Sequence, residues 1–283
     1  MSKALSAAAS AEFDTDVKHA YQERGGLAST WTERNGITGD TYNFRTMGKG
    51  MANKKSSSED VTPMNVSHAL VPAVLENWNA PEYTDIFDDA EVNFDEVSEL
   101  SETIAGAIGR REDQLGIDAM DVAAAAATHA GDVGTNIGGT ATDLNTAKIR
   151  RSKRLHDNLA VDEADRHLLH SAIGLEAMLG TTEATSSDYN TVKALVHGDI
   201  DTFVGYKWHM VAARDEGGLT IAASVRDGMA YQKKAIGIAR GINFTTNVDW
   251  IPQKTSWLAN GILKAGATVR DGNGLVRIQS TEA

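Results

Sequence analysis

Four groups of residues in this chain of 283 carry side chains that could do chemistry. The first is HLLH, with His167 and His170 three positions apart. Two histidines share a metal when both face it, as the i, i+4 pair of HExxH does on a helix with a glutamate between them as base. HLLH has no glutamate and lies in a strand-like run, Arg166–Ser171, where i and i+3 face opposite sides. Ordinary surface or interface histidines fit that spacing better than a metal site. The second group is a run of carboxylates, Asp85, Asp88, Asp89, Glu91, Asp95, Glu96, Glu99 and Glu102, with no basic residue among them. Two carboxylates act as acid and base when their environments differ; a continuous run reads as one solvated helix face. The third is glycine-rich: GDVGTNIGGT at 131–140 and Gly48-Lys49-Gly50. Neither has the GxGxxG or GxxxxGK[ST] frame that cradles phosphate, so both read as loops or hinges. The fourth is basic: Lys148, Arg150, Arg151, Lys153 and Arg154. It suits phosphates, or the acidic run of another subunit, which charge complementarity favours.

No GxSxG and no assignable Ser–His–Asp set is present. With no cysteine, disulfides, thiolate zinc sites and thiol catalysis are excluded, and an intracellular origin fits. The chain is therefore not expected to be an enzyme, and no catalytic residue, cofactor or metal is expected. Net charge is −12, the reverse of what tight sequence-independent binding to nucleic acid requires. An apolar content of 41% with 23% charged residues is ordinary for a globular protein of one or two domains. No run approaches the ~20 apolar residues that span a bilayer, and the N-terminal MSKALSAAASAEFDTDV does not read as a secretory leader.

The elements that must position these residues can be read from periodicity. Residues 1–36 read as an N-terminal arm with a short helix around Glu12–Gln22. In Asp40–Met47, Tyr42, Phe44 and Thr46 alternate with Asn43 and Arg45, a half-exposed strand. Residues 48–63, GKGMANKKSSSEDVTP, read as a loop. Asn65–Leu75 is extended again, with Pro72 at an edge position. Such a long two-stranded hairpin is marginal alone and needs a surface to lie on. From Phe94 to about Ala127 the spacing turns helical: Val97, Leu100, Ile104, Ile108, Leu115, Ala119 and Val122 form an apolar stripe, with Arg111 completing it. At about 1.5 Å per residue this makes a helix near 50 Å long, in which Gly106, Gly109 and Gly116 allow another backbone to pack closely. Asp143–Leu159 reads as a basic helix, Ser171–Gly180 and Ser186–Gly198 as short helices, and Phe203–Val211 as a strand. Ala235–Ala239, Ile242–Trp250 and Ser256–Ala267 are extended. Val269–Ile278 has the Asp-Gly of a hairpin. The order implies an α+β fold whose first domain is completed by the C-terminus.

Residues 60–120 resemble the matching region of the major capsid proteins of short-tailed, T-seven-type and related podophages. The carriers are DVTPMNVSHA, WNAPEYTDIFD from Trp78, and GRREDQLGIDAM. The likeness continues in SSDYNTVKALVHGDIDTFVGYKW at 186–208 and WIPQKTSWLANGILKAGATVRDGNGLVRI at 250–278. The resemblance implies an HK97-like capsid fold: an N-terminal arm at 1–36, an extended hairpin loop at 37–75 lying on the next subunit, a peripheral domain at 76–130 and 226–283 with a long spine helix, and an axial domain at 131–225. It implies a structural protein that assembles as pentamers and hexamers into an icosahedral shell around double-stranded DNA, found in the virion and assembled in the host bacterial cytoplasm. Implied partners are other copies, a separate scaffolding protein and a portal protein, with a decoration protein left open. The candidate interface residues are Lys49, Lys54, Lys55, Arg110, Arg111, Arg150, Arg151 and Arg154. An encapsulin-like cellular compartment is the alternative. Relatives that cross-link through lysine and asparagine imply nothing firm here, because no acceptor or catalytic glutamate is identifiable.

Overall fold

The computed structural model describes residues 25–86, 96–181, 202–213, 216 and 218–282. The helices expected at Glu12–Gln22 and Ser186–Gly198 lie outside them.

The first sheet has four strands in the order β1 (Thr32–Arg34), β11 (Ile236–Ile251), β12 (Ser256–Val269), β4 (Glu76–Asp85). Two segments expected as separate strands, Ala235–Ala239 and Ile242–Trp250, are one 16-residue strand, β11. Its register slips at Arg240/Ile242 and Ile242/Thr245, so the break in alternation is a bulge and not a turn. Gly241 occupies the slip; a Cβ there would stand 3.1 Å from the Ile37 carbonyl oxygen. The expected hairpin is present as β2 (Thr41–Met47) and β3 (His68–Val74), joined by residues 48–67 without helix or strand. Phe44 and Ala73 turn inward with Leu75 and Ala239. Pro72 falls on β3, where a two-stranded sheet offers only edges.

Helix α1 (Glu96–Ala125, 30 residues) runs about 45 Å along the first sheet and on to the second. It stops at Ala125 because Ala127 takes φ 53° and Thr128 N bonds Ala123 O at 3.0 Å, a left-handed cap without glycine. Its front half follows the expected stripe: Ile108 packs on Leu263 and Ala265, and Ile104 lies over Gly261. Its rear half does not. Val122 is 67% exposed, and the buried residues are Asp113, Gly116, Ile117, Met120, Ala123 and Ala124. The helix has left the first sheet by then and meets a second core on another side, formed by Trp31, Leu169, Met229, Tyr231 and Leu275. The glycines explain the approach. Gly109 abuts the backbone of Gly25, as expected of close backbone packing, but Gly116 lies under the Trp31 indole.

The second sheet has the order β5 (Gly131–Val133), β13 (Leu275–Thr281), β10 (Val225–Gln232), β6 (Arg166–His170), β8 (Tyr206–Met210), β7 (Thr202–Phe203), with β9 (Ile221–Ala222) on β10. One face carries Leu169, Met229 and Tyr231 towards α1; the other carries Leu168, Ala230, Val276 and Ile278 towards α2 (Thr146–Asn158) and α3 (Ala172–Leu179). Both short helices begin on side-chain caps: Asn145 accepts from Lys148 N, and Ser171 from Gly174 N.

Three local expectations are corrected. Residues 203–211 are not one strand but a hairpin, turned by Val204 and Gly205 at φ 51° and 81°. Residues 131–140 begin as a strand, β5, paired parallel with β13. Val269–Ile278 is not a hairpin: Val269 ends β12 in the first sheet, and after a short 3-10 turn at Gly272–Gly274 the chain enters β13 in the second. The Asp-Gly pair marks this crossing, where Asp271 caps Asn273 N and Arg270 N bonds Ala235 O at 2.7 Å.

A Cβ on Gly116 would fall 2.0 Å from the Trp31 ring. Gly116→Ala should therefore destabilise the unassembled subunit by about 1–3 kcal/mol through overpacking. Thermal denaturation tests this, and Trp31→Leu in the same chain should recover part of the loss. An unchanged melting temperature would mean that this contact does not fix the helix.

Candidate contact surfaces

The residues with chemical potential are used structurally. His167 and His170 face opposite sides of β6, as strand geometry requires. His167 Nδ1 is 2.8 Å from His209 Nε2, and its ring stacks on Tyr231 at 5.6 Å. His170 packs against Trp208 and approaches the Ser171 carbonyl at 3.0 Å. His156 Nδ1 meets Tyr206 Oη at 2.8 Å, with Ser152 Oγ on the same hydroxyl at 3.0 Å. Among the described residues no three His, Asp or Glu side chains converge to hold a metal. The glycine-rich loop presents carbonyls inward: Asn145 Nδ2 bonds Ile137 O at 3.0 Å, and Thr142 Oγ1 bonds Thr135 O at 2.8 Å.

Several charged groups that sequence reasoning missed tie distant segments together. Asp113, buried at mid-helix, accepts from Leu27 N at 3.0 Å and from Gly26 N at 3.2 Å, which anchors the described start of the chain on α1. Arg240 binds Glu112, Glu33 at 2.9 Å and Asn35 at 3.1 Å, joining β11, α1 and β1. Glu282 is buried against Arg226 at 2.8 Å and Ser171 Oγ. Each partner lies far away in sequence, so no periodicity announces it.

The candidate interface cations fall in three places that the structure does not bring together. Lys49, Lys54 and Lys55 are exposed on the loop between β2 and β3. Lys49 also borders a cleft of about 240 Å³ with Asp162, Lys234 and Asp271. Arg110 and Arg111 lie half-buried on α1. Arg111 is held within the chain, with its guanidinium 3.9 Å over the Trp78 ring and its Nε 2.8 Å from Glu216. Arg150 and Arg154 are exposed on α2, and Arg151 is half-buried. Lys148 of the same helix is fully buried: its ammonium donates to Thr142 O at 2.5 Å and Gln279 O at 2.8 Å, and burial lowers its pKa to about 8.

The apolar surface is more telling. Met47, Leu70 and Val74 share the outer face of the hairpin and are 70%, 62% and 62% exposed. Val74 and Pro72 also border an open groove of about 560 Å³, walled by Leu115, Ala119 and Val122 of α1 and by Gly266–Val269. The rear of the sequence-read stripe thus borders a groove, with Leu115 also packed against the Ile108–Leu263–Ala265 core.

Burial lowers His156 and His167 to about 4, with Arg166 adding to the first shift and His209 to the second. Unfolded histidine titrates near ~6.5, so between that pH and about 4 the unfolded chain binds more protons and stability falls as pH is lowered. The unfolding free energy of the unassembled subunit, read from urea denaturation, should drop between about pH 7 and pH 5, by at most about 1.4 kcal/mol per pH unit per histidine. His167→Gln should flatten the curve; an identical slope would show that this imidazole is not responsible.

A family model described as phage capsid protein matches residues 5–282. No curated protein matches the chain. Among solved structures, the capsid of Cyanophage P-SCSP1u aligns over 99% of this chain and 95% of its own, at 14% identity and a TM-score of 0.74. The head structure of Helicobacter pylori bacteriophage KHP40 aligns over 96% and 95%, at 9% identity and a TM-score of 0.76. The Cyanophage Pam1 capsid aligns over 98% and 97%, at 14% identity and a TM-score of 0.71. At these identities the likeness carries the α+β fold, and it does so over nearly the whole chain.

Proposed function

Because this chain belongs to the phage capsid protein family, we propose that its copies assemble as pentamers and hexamers into the icosahedral shell enclosing the double-stranded DNA of a tailed phage. It is a structural shell protein, and its place is the virion. The family match does not favour an encapsulin-like compartment. The observation that carries the reading is the β2–β3 hairpin. Its outer face presents Met47, Leu70 and Val74, and its loop adds Met51 at 79% and Val61 at 78% exposure. Large apolar side chains exposed together along one hairpin and its loop support a contact site. In the assembled shell the hairpin lies on the next subunit, and Lys49, Lys54 and Lys55 meet acidic residues there.

The same reading divides the chain into an arm at 1–36, the hairpin at 37–75, a peripheral unit at 76–130 and 226–283, and an axial unit at 131–225. The pairing of β10 and β13 with β5 and β6 supports counting those two strands with the axial unit. Arg110 contributes to subunit contacts, whereas the intrachain bonds of Arg111 support a role inside the subunit. A separate scaffolding protein shapes the shell, a portal occupies one vertex, and assembly takes place in the host cytoplasm. A net charge of −12 suits a wall that encloses a polyanion without gripping it, since repulsion is screened beyond about 8 Å.

Expressed with the scaffolding protein of its phage, the chain should form closed shells in negative-stain micrographs. A stable monomer under all such conditions would overturn the proposal. Removing Met51–Ser58 should leave the subunit's circular dichroism and melting unchanged while lowering shell yield at least tenfold; undiminished yield would deny the loop its contact role.

A further inference from the structure

The groove at the root of the hairpin has apolar walls and an acidic rim. Val74, Leu115, Ala119 and Val122 form the walls. Among the described residues its charged lining is Glu76 and Asp118, with no Lys or Arg. Both carboxylates are exposed, and neither has a cationic partner among the described residues. The groove's shape is fixed by backbone. A Cβ on Gly266 would collide with the Val74 carbonyl, and one on Gly272 with the Thr128 carbonyl. The hairpin root and the turn after α1 are therefore locked in place, and a space of about 560 Å³ stays open between them.

The loop between β2 and β3 carries a side chain of matching chemistry. Met51 is exposed and is followed by Lys54 and Lys55, both exposed and without an acidic partner among the described residues. An unbranched thioether fills irregular apolar gaps, and two ammonium groups complement Glu76 and Asp118. The other apolar residues of the loop fit less well. Val61 follows Glu59 and Asp60, which the acidic rim would repel, and Met64 packs over Gly50 of its own loop.

Met51 does not reach the groove of its own copy. Val74 pairs with Thr41 at the hairpin root, and Met47 with His68 at the far end. The seven residues of β2 at about 3.4 Å each place those ends about 20 Å apart. Gly48 N bonds Ser67 O at 2.8 Å and Gly50 faces Met64, so the paired chain continues outward before Met51.

We infer that Met51 of one copy seats in the Val74–Leu115–Val122 groove of a second copy, with Lys54 and Lys55 on Glu76 and Asp118. Knob and groove are different patches of one subunit, so the contact is heterologous and each copy both gives and receives it. The inference rests on the shell reading and assigns the place on the next subunit where the hairpin loop lies.

The absence of native cysteine makes the test direct. A chain carrying both Met51→Cys and Val122→Cys, assembled into shells and then oxidised, should give a ladder of covalent multimers beyond the dimer on a non-reducing gel. Each single variant should give none beyond the dimer. Separately, Glu76→Lys with Asp118→Lys should lower the yield of closed shells at least tenfold while keeping wild-type circular dichroism. Adding Lys54→Glu with Lys55→Glu to the same chain should restore it. Shells without a ladder, wild-type yield from the first reversal, or no restoration by the second would each overturn this contact alone; the last result would point to another occupant of the groove, such as a scaffolding protein. Failure of the unmodified chain to form shells with its scaffolding protein would overturn the shell reading and this contact with it.

Discussion

Helix α1 has to serve two cores. Ile104 and Ile108 lie on the first sheet with Leu263 and Ala265, while Ile117 and Met120 lie in the second core with Trp31, Met229 and Tyr231. Two faces of one helix are therefore buried in succession along its length, and neither sheet could shift without disturbing the other. The remaining anchors follow from that demand. Gly116 makes room for Trp31, Gly109 for Gly25, and Asp113 meets the backbone of Gly26 and Leu27 with charge-assisted hydrogen bonds. The Tyr231 hydroxyl completes the set, 2.6 Å from Thr30 Oγ1.

Charge is divided by task. Arg240, Arg226 and Arg111 are spent within the subunit, each on a carboxylate distant in sequence. These pairs are partly or wholly withdrawn from water, where loss of one partner leaves the other uncompensated. The hairpin lysines and the α2 arginines stay outside that network. A subunit that must persist alone before it joins others keeps its internal charges paired and leaves outward ones for the lattice.

Much of this was legible because it depends on neighbours in sequence. Alternation in Tyr42, Phe44 and Thr46 gave β2, the Ser171 and Gly180 signals bounded α3, and the basic run at 143–159 gave α2. What could not be read depends on where the chain goes next. Ala119 and Val122 keep helical spacing but face a groove, because beyond Leu115, which still packs on the first-sheet core, the helix passes to another core. The Asp271-Gly272 pair looks like a hairpin turn and is a crossing between sheets: β13 pairs with β5 and β10, not with β12. That Arg150 and Arg154 have no acidic partner among the described residues was equally invisible, since the run alone does not say which of its cations are used at home.

The position of β13 has a consequence for synthesis. It lies between β5 and β10, so a strand from residues 275–281 completes a sheet begun at residue 131. While the ribosome is still making the intervening chain, β5 has no partner and Val276 and Ile278 are missing from the core that α2 and α3 cover. Non-local closure of this kind is slow and comes late. A prematurely terminated chain can therefore contain the residues of the hairpin and the long helix yet lack a finished second sheet.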